Sequence, residues 1–70
     1  MKNIDDIVVK ESISILDVLK IIDKSSKQLA IVVDDNNKLL GTISDGDIRR
    51  ALLKNIPLTE SVKNIYFKNP

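Results

Sequence analysis

The sequence has no cysteine and no histidine. Thiolate nucleophiles, imidazole bases, catalytic triads and structural zinc each need one or the other, so most enzyme mechanisms and every disulfide are excluded. Aromatic surface is scarce as well. Tyr66 and Phe67 stand alone, without a tryptophan, and offer no platform on which single-stranded bases could stack. Neither charge sign dominates: eleven basic against ten acidic side chains leave a net +1, too little for the electrostatic footprint of a nucleic-acid binder. Long apolar runs are missing too. The longest, Leu29 to Val33, falls far short of the ~20 residues that cross a bilayer. "MKNIDDIVVK" lacks the apolar core of a signal peptide. These absences predict a chain that is not an enzyme, is cytoplasmic, and has no nucleic-acid partner, membrane partner or metal site.

What remains is a chain of 70 residues, enough for one core and not two. A core this small is usually reinforced by disulfides, metal or association. With the first two excluded, association with a second copy is expected.

The patterning gives the order β-α-β-β-α, an α+β unit. Ile7, Val8 and Val9 form a short β-branched stretch that reads as a strand. In "SILDVLKIIDKSS" the apolar Ile15, Val18, Leu19 and Ile22 recur at helical spacing, which predicts a helix over about 14–25 with Ser14 and Asp17 as a capping box. "QLAIVV" has the length of a strand covered on both faces. Asp34 to Asn37 make a turn of residues that tolerate left-handed dihedrals. Leu39 to Ser44 returns as the second arm of a hairpin. A second helix, 45–54, carries Ile48, Ala51 and Leu52 on one face and is ended by Asn55-Ile56-Pro57. The tail "LTESVKNIYFKNP" reads as a second start of the same unit: aligning residues 4–12 with 62–70 gives two identities in nine, Ile7 on Ile65 and Lys10 on Lys68, with apolar residues matched at Ile4, Val8 and Val9. Residues 1–58 then read as one unit, and 59–70 as a linker and the first strand of a second, truncated one.

The densest cluster of polar chemistry lies at the junction of the last strand and helix, "GTISDGDIRR". Ser44 and Asp47 have capping-box spacing, and a cap of about 1 kcal/mol accounts for them without any ligand. Three neighbours suggest more. Gly41 weakens its strand unless something packs against its backbone. Gly46 lies in the first helical turn, where it costs up to ~1 kcal/mol relative to alanine but leaves room for an approaching ligand. Arg49 and Arg50 add phosphate-binding geometry to a helix N-terminus that already attracts anions. A carboxylate suits two adjacent sugar hydroxyls, so Asp47, pointing outward, is the expected ribose ligand with Ser44 assisting. Asp45 must then turn to solvent to spare the phosphate from repulsion.

"LAIVVDDNNKLLGTISDGDIRRALL" resembles a CBS domain, the regulatory module named after cystathionine β-synthase. The resemblance covers nearly the whole chain and rests on the strand-hairpin-helix order, on Gly41 and on Ser44-x-x-Asp47. It implies a sheet packed against two helices, a unit that pairs with another copy, and an adenine nucleotide (AMP, ADP or ATP) bound in the cleft between units. By the same resemblance Ser44 and Asp47 hold the ribose, and Ile7, Val8, Val9, Leu29 and Ala30 contact the base. Arg49 and Arg50 are the phosphate ligands. The wording "GTISDGDIRRALL" is similar to CBS segments attached to sugar nucleotidyltransferases and arabinose-5-phosphate isomerases. Its position near the start of the chain favours the nucleotidyltransferase, with the catalytic domain following in cis.

Overall fold

The computed structural model describes residues 4–68. A 3-10 turn over Ile4–Ile7 leads into β1 (Val8–Lys10), followed by α1 (Ile15–Ser25), β2 (Leu29–Val33), β3 (Leu39–Ser44) and α2 (Asp45–Leu53). A second 3-10 turn, Val62–Asn64, lies in the tail. The architecture is the α+β unit that the patterning implies, with one sheet ordered β1-β2-β3. β1 runs parallel to β2, pairing Val8 with Ile31 and Val9 with Val32. β2 and β3 form the antiparallel hairpin, pairing Leu29 with Ser44, Ala30 with Ile43 and Ile31 with Thr42. Its turn is held by Asp34, whose Oδ1 accepts from the Asn36 and Lys38 N–H groups at 2.8 and 2.9 Å, while Asn37 takes a left-handed φ of 63°.

Strand alternation assigns the two faces of the sheet. Val9, Ala30, Val32 and Ile43 are buried together with Ile15, Val18 and Ile22 of α1 and with Ile48 and Ala51 of α2. Val8, Ile31 and Thr42 occupy matched register positions on the other face and are only half-buried. β2 is therefore covered on one face, not on both as its unbroken apolar run suggests. Both helices pack on the same side, and among the described residues no helix lies against the other, where Val8 and Ile31 stay half-buried and only Val33 at the strand end is buried. Ile7 also differs from expectation: it belongs to the 3-10 turn and β1 begins at Val8.

The tail closes the core. Val62 is fully buried and Tyr66 nearly so, and full burial of side chains of this size contributes about 1.5–3 kcal/mol each. Thr42 and Phe67 exchange backbone hydrogen bonds, N–H to carbonyl at 3.0 Å and back at 2.8 Å, adding one antiparallel bridge to the free edge of β3. The Tyr66 hydroxyl donates to Glu11 Oε2 at 2.8 Å, fastening the tail to the loop before α1. Burial pushes the Tyr66 phenol above its ordinary pKa, and the hydrogen bond to Glu11 and the charge of that carboxylate push the same way. Gly41 is what lets the tail through. A Cβ there would overlap the Phe67 carbonyl oxygen and lie 3.0 Å from the Tyr66 ring. The close approach that glycine in a strand implies is made by the chain itself.

Candidate functional site

α2 begins where β3 ends, so the last strand residue, Ser44, is also its N-cap, in extended conformation at φ −118°. The Ser44 Oγ accepts from the Asp47 N–H at 3.3 Å. Asp47 answers: its Oδ2 accepts from the Ser44 N–H at 2.9 Å and from the Ser44 hydroxyl at 3.2 Å. Both arms of a capping box are present. The other carboxylate oxygen, Oδ1, accepts from Arg50 Nη2 at 2.7 Å. The Asp47 side chain keeps 15% of its surface exposed and that of Arg50 66%.

This arrangement corrects the expectation that Asp47 points outward. Its carboxylate turns back onto the main chain of its own cap, because the Ser44 N–H at the strand end has no ladder partner and needs an acceptor. Arg50, expected beside a phosphate, donates instead to Asp47; three residues on, it lies on the same helix face. Arg49 is exposed. Asp45 is exposed too. Gly46 is not needed for space around its Cβ, since an added methyl would meet Arg50 Nη1 at 3.5 Å and Ser44 Oγ at 3.7 Å, ordinary contacts. Its backbone is the surface over which the guanidinium lies.

The five residues expected at a base are divided by the sheet. Ile7, Val9 and Ala30 are buried, Val9 and Ala30 within the cluster formed with the helices, so their side chains have no free face. Val8 and Leu29 lie on the uncovered face, half-buried and 37% exposed respectively. Ile31 was not among the expected residues, yet it pairs with Val8 and stands two positions from Leu29 on the same face. Period-two alternation counted from Leu29 was the signal that picks it out. Since Leu29 also pairs with Ser44, an apolar strip of Val8, Ile31 and Leu29 ends beside the capping hydroxyl. A notch of about 140 Å³ opens at Asp47 and Arg50, bordered by Lys54, Ile56, Asn64 and Ile65. Ligand pockets commonly reach about 300 Å³ or more, so a nucleotide there needs walls from outside this chain. A larger hollow of about 330 Å³ is lined by Asp6, Ile21, Lys24 and Ser25, none of them at this junction. Among the described residues no group of acidic side chains forms a metal site, and no helix is long and apolar enough to cross a membrane.

The family model for the CBS domain matches residues 1–54. The chain belongs to the CBS domain family. It is 50% identical over 52 residues to an uncharacterized protein of Helicobacter pylori strain J99, covering 71% of this chain. The chain spans only 16% of the length of that relative and of its counterpart in a second H. pylori strain. Among solved structures, the CBS domain pair of protein MJ0100, in complex with 5′-methylthioadenosine and S-adenosyl-L-methionine, is 32% identical with a TM-score of 0.78. That match covers 90% of this chain and 50% of the other. CBSX2 in complex with AMP is 29% identical with a TM-score of 0.74, over 94% and 54% of the two chains. This CBS unit thus corresponds to about half of each.

Proposed function

We propose that this CBS unit is a non-catalytic regulatory module that binds an adenine nucleotide between paired units, with Asp47 and Ser44 at the ribose. The observation that carries the reading is the junction itself. A partly buried carboxylate lies at a helix N-terminus, at the end of an apolar strip, Val8, Ile31 and Leu29, that offers an apolar surface to a purine. The adenosine portion shared by the ligands of the MJ0100 pair and of CBSX2 supports the same ligand class. Arg50 and Arg49 serve the phosphate. The small notch and the uncovered sheet face support pairing, with the second unit supplying the far wall. The tail supports a following unit as well: 62–67 follows the course of 4–9, a 3-10 turn running into a segment bonded to the sheet. In the full-length protein the pair would act in cis on a catalytic domain, a sugar nucleotidyltransferase, and the greater length of the relatives leaves room for one. Regulation of that kind needs the ligand to favour one packing of the units by about 1–3 kcal/mol.

Calorimetric titration with AMP, ATP, adenosine and a sugar nucleotide tests the reading. Binding of the adenine compounds is expected, with affinity reduced at least about tenfold by Asp47→Ala, as loss of hydrogen bonds to a charged group implies. The closed capping box favours a second reading, a dimerisation unit that binds nothing. Absence of heat and of any thermal shift with all four compounds would establish that one instead.

A further inference from the structure

The expected ribose ligand is already in use. A carboxylate offers about four acceptor positions. On Asp47 the Ser44 N–H and hydroxyl take Oδ2, and Arg50 takes one side of Oδ1. One position is left, and a ribose presents two adjacent hydroxyls. The bonds to Ser44 belong to the helix cap and cannot be given up without loosening the start of α2. The bond from Arg50 can be given up, because its guanidinium is largely in solvent and nothing else among the described residues holds it.

Where that guanidinium lies matters equally. It reaches back one turn to the N-terminal end of α2, with Nη1 and Nη2 3.5 and 3.8 Å from where a Cβ of Gly46 would stand. The Gly46 N–H has no hydrogen-bond partner among the described residues, and the Asp45 N–H has only a long one, 3.4 Å to the Gln28 carbonyl. An anion arriving at this helix end would meet those N–H groups and stand next to Arg50.

We infer that Arg50 is a gate that sets ligand selectivity. Its guanidinium covers the Asp47 oxygen that a ribose needs, so that an adenine nucleoside bearing a phosphate is admitted more readily than one without. The phosphate draws Arg50 off Asp47, for guanidinium binds phosphate with the same forked geometry as carboxylate. Oδ1 is then open on both sides to the two ribose hydroxyls, while Oδ2 keeps the cap intact. A nucleoside without phosphate must break the pair and gives Arg50 nothing in return. Arg50 is a specificity-determining residue whose effect on the ribose is exerted through Asp47.

The inference rests on the reading of Asp47 as the ribose ligand, and one set of titrations separates the two. AMP and adenosine are titrated into the wild-type protein, Arg50→Gln and Arg50→Lys. Arg50→Gln should bind adenosine about three- to fivefold tighter than wild type, the scale of a partly exposed ion pair, and AMP about tenfold more weakly, collapsing the preference for AMP. Arg50→Lys should keep part of the preference, since its ammonium retains the charge without the fork. If AMP weakens in Arg50→Gln while adenosine does not tighten, the gate is overturned and Arg50 is a phosphate ligand only. Unchanged affinities for both compounds overturn it as well. If no variant binds either compound, the nucleotide reading falls and takes the gate with it.

Discussion

Ser14-Ile15-Leu16-Asp17 and Ser44-Asp45-Gly46-Asp47 set a hydroxyl and a carboxylate at the same spacing before a helix, and the fold uses them differently. At α1 the backbone does most of the capping. The Ile15 and Leu16 N–H groups donate to the carbonyls of Glu60 and Leu58 at 2.8 and 3.0 Å, the Asp17 N–H donates to Ser14 Oγ, and the Val18 N–H donates to the Ser14 carbonyl. Every N–H of the first turn is occupied, and the Asp17 carboxylate stands exposed without a role in the cap. At α2 no tail segment among the described residues caps the helix start. Asp47 has to close the box itself, Arg50 folds onto it, and the Gly46 N–H is left over. The same Ser-x-x-Asp spacing thus makes a sealed end in one place and an open, charged one in the other. What differs is whether another segment of the chain lies across the helix start.

The seal at α1 can be broken from a distance. Gly41→Ala should have the largest effect on stability, costing about 2–4 kcal/mol, because its methyl overlaps the Phe67 carbonyl and must displace the tail that buries Val62 and Tyr66. Urea denaturation gives the magnitude. Faster amide exchange at Ile15 and Leu16 would show that the helix start has lost its acceptors, whereas a variant as stable as wild type would mean the tail does not hold it.

The two carboxylates can be compared directly. Asp47→Ala should lose about 1–2 kcal/mol, since all three hydrogen bonds to its carboxylate go with it, two from Ser44 and one from the largely exposed Arg50, while Asp17→Ala should stay within about 0.5 kcal/mol of wild type. Equal losses in paired denaturation curves would erase the distinction drawn between the two ends. Ser14→Ala and Ser44→Ala each remove a cap and should each cost about 1 kcal/mol, so the contrast belongs to the acids and not to the hydroxyls.

Tyr66→Phe is the mildest test, about 1 kcal/mol for the bond to Glu11. Its pH dependence is more telling than its size. Because the folded chain holds the phenol proton more tightly than the unfolded one, the contribution is complete below the ordinary value of 10.0 and is lost as pH rises through the raised pKa of Tyr66. The stability gap between wild type and Tyr66→Phe should therefore narrow above pH 10. A gap constant from pH 8 to 11 would show that Glu11 and the phenol are not coupled.

Much of the unit can be read from local chemistry. Strand 39–44 and the start of α2 at 45 follow from alternation and the cap, and the turn at 34–37 from residues that bond their own backbone. Gly41 announced that something lies against β3, but a glycine records only the need for space and not what fills it. Neighbours in sequence do not share a face of a strand, so the pleat separates Val8 from Val9 and Leu29 from Ala30. Glu11 and Tyr66 meet across most of the chain, and no periodicity connects them.

The sequence by itself determined the helices, the hairpin, the lack of thiol and imidazole chemistry and the acid-hydroxyl pairs at both helix starts, because each is set by neighbours within a few residues. Only the tertiary structure decided which helix start has its N–H groups taken by the tail and which is left with an arginine on its carboxylate. That choice depends on where residues 58–67 cross the fold, and a crossing is fixed by packing between segments that are far apart along the chain.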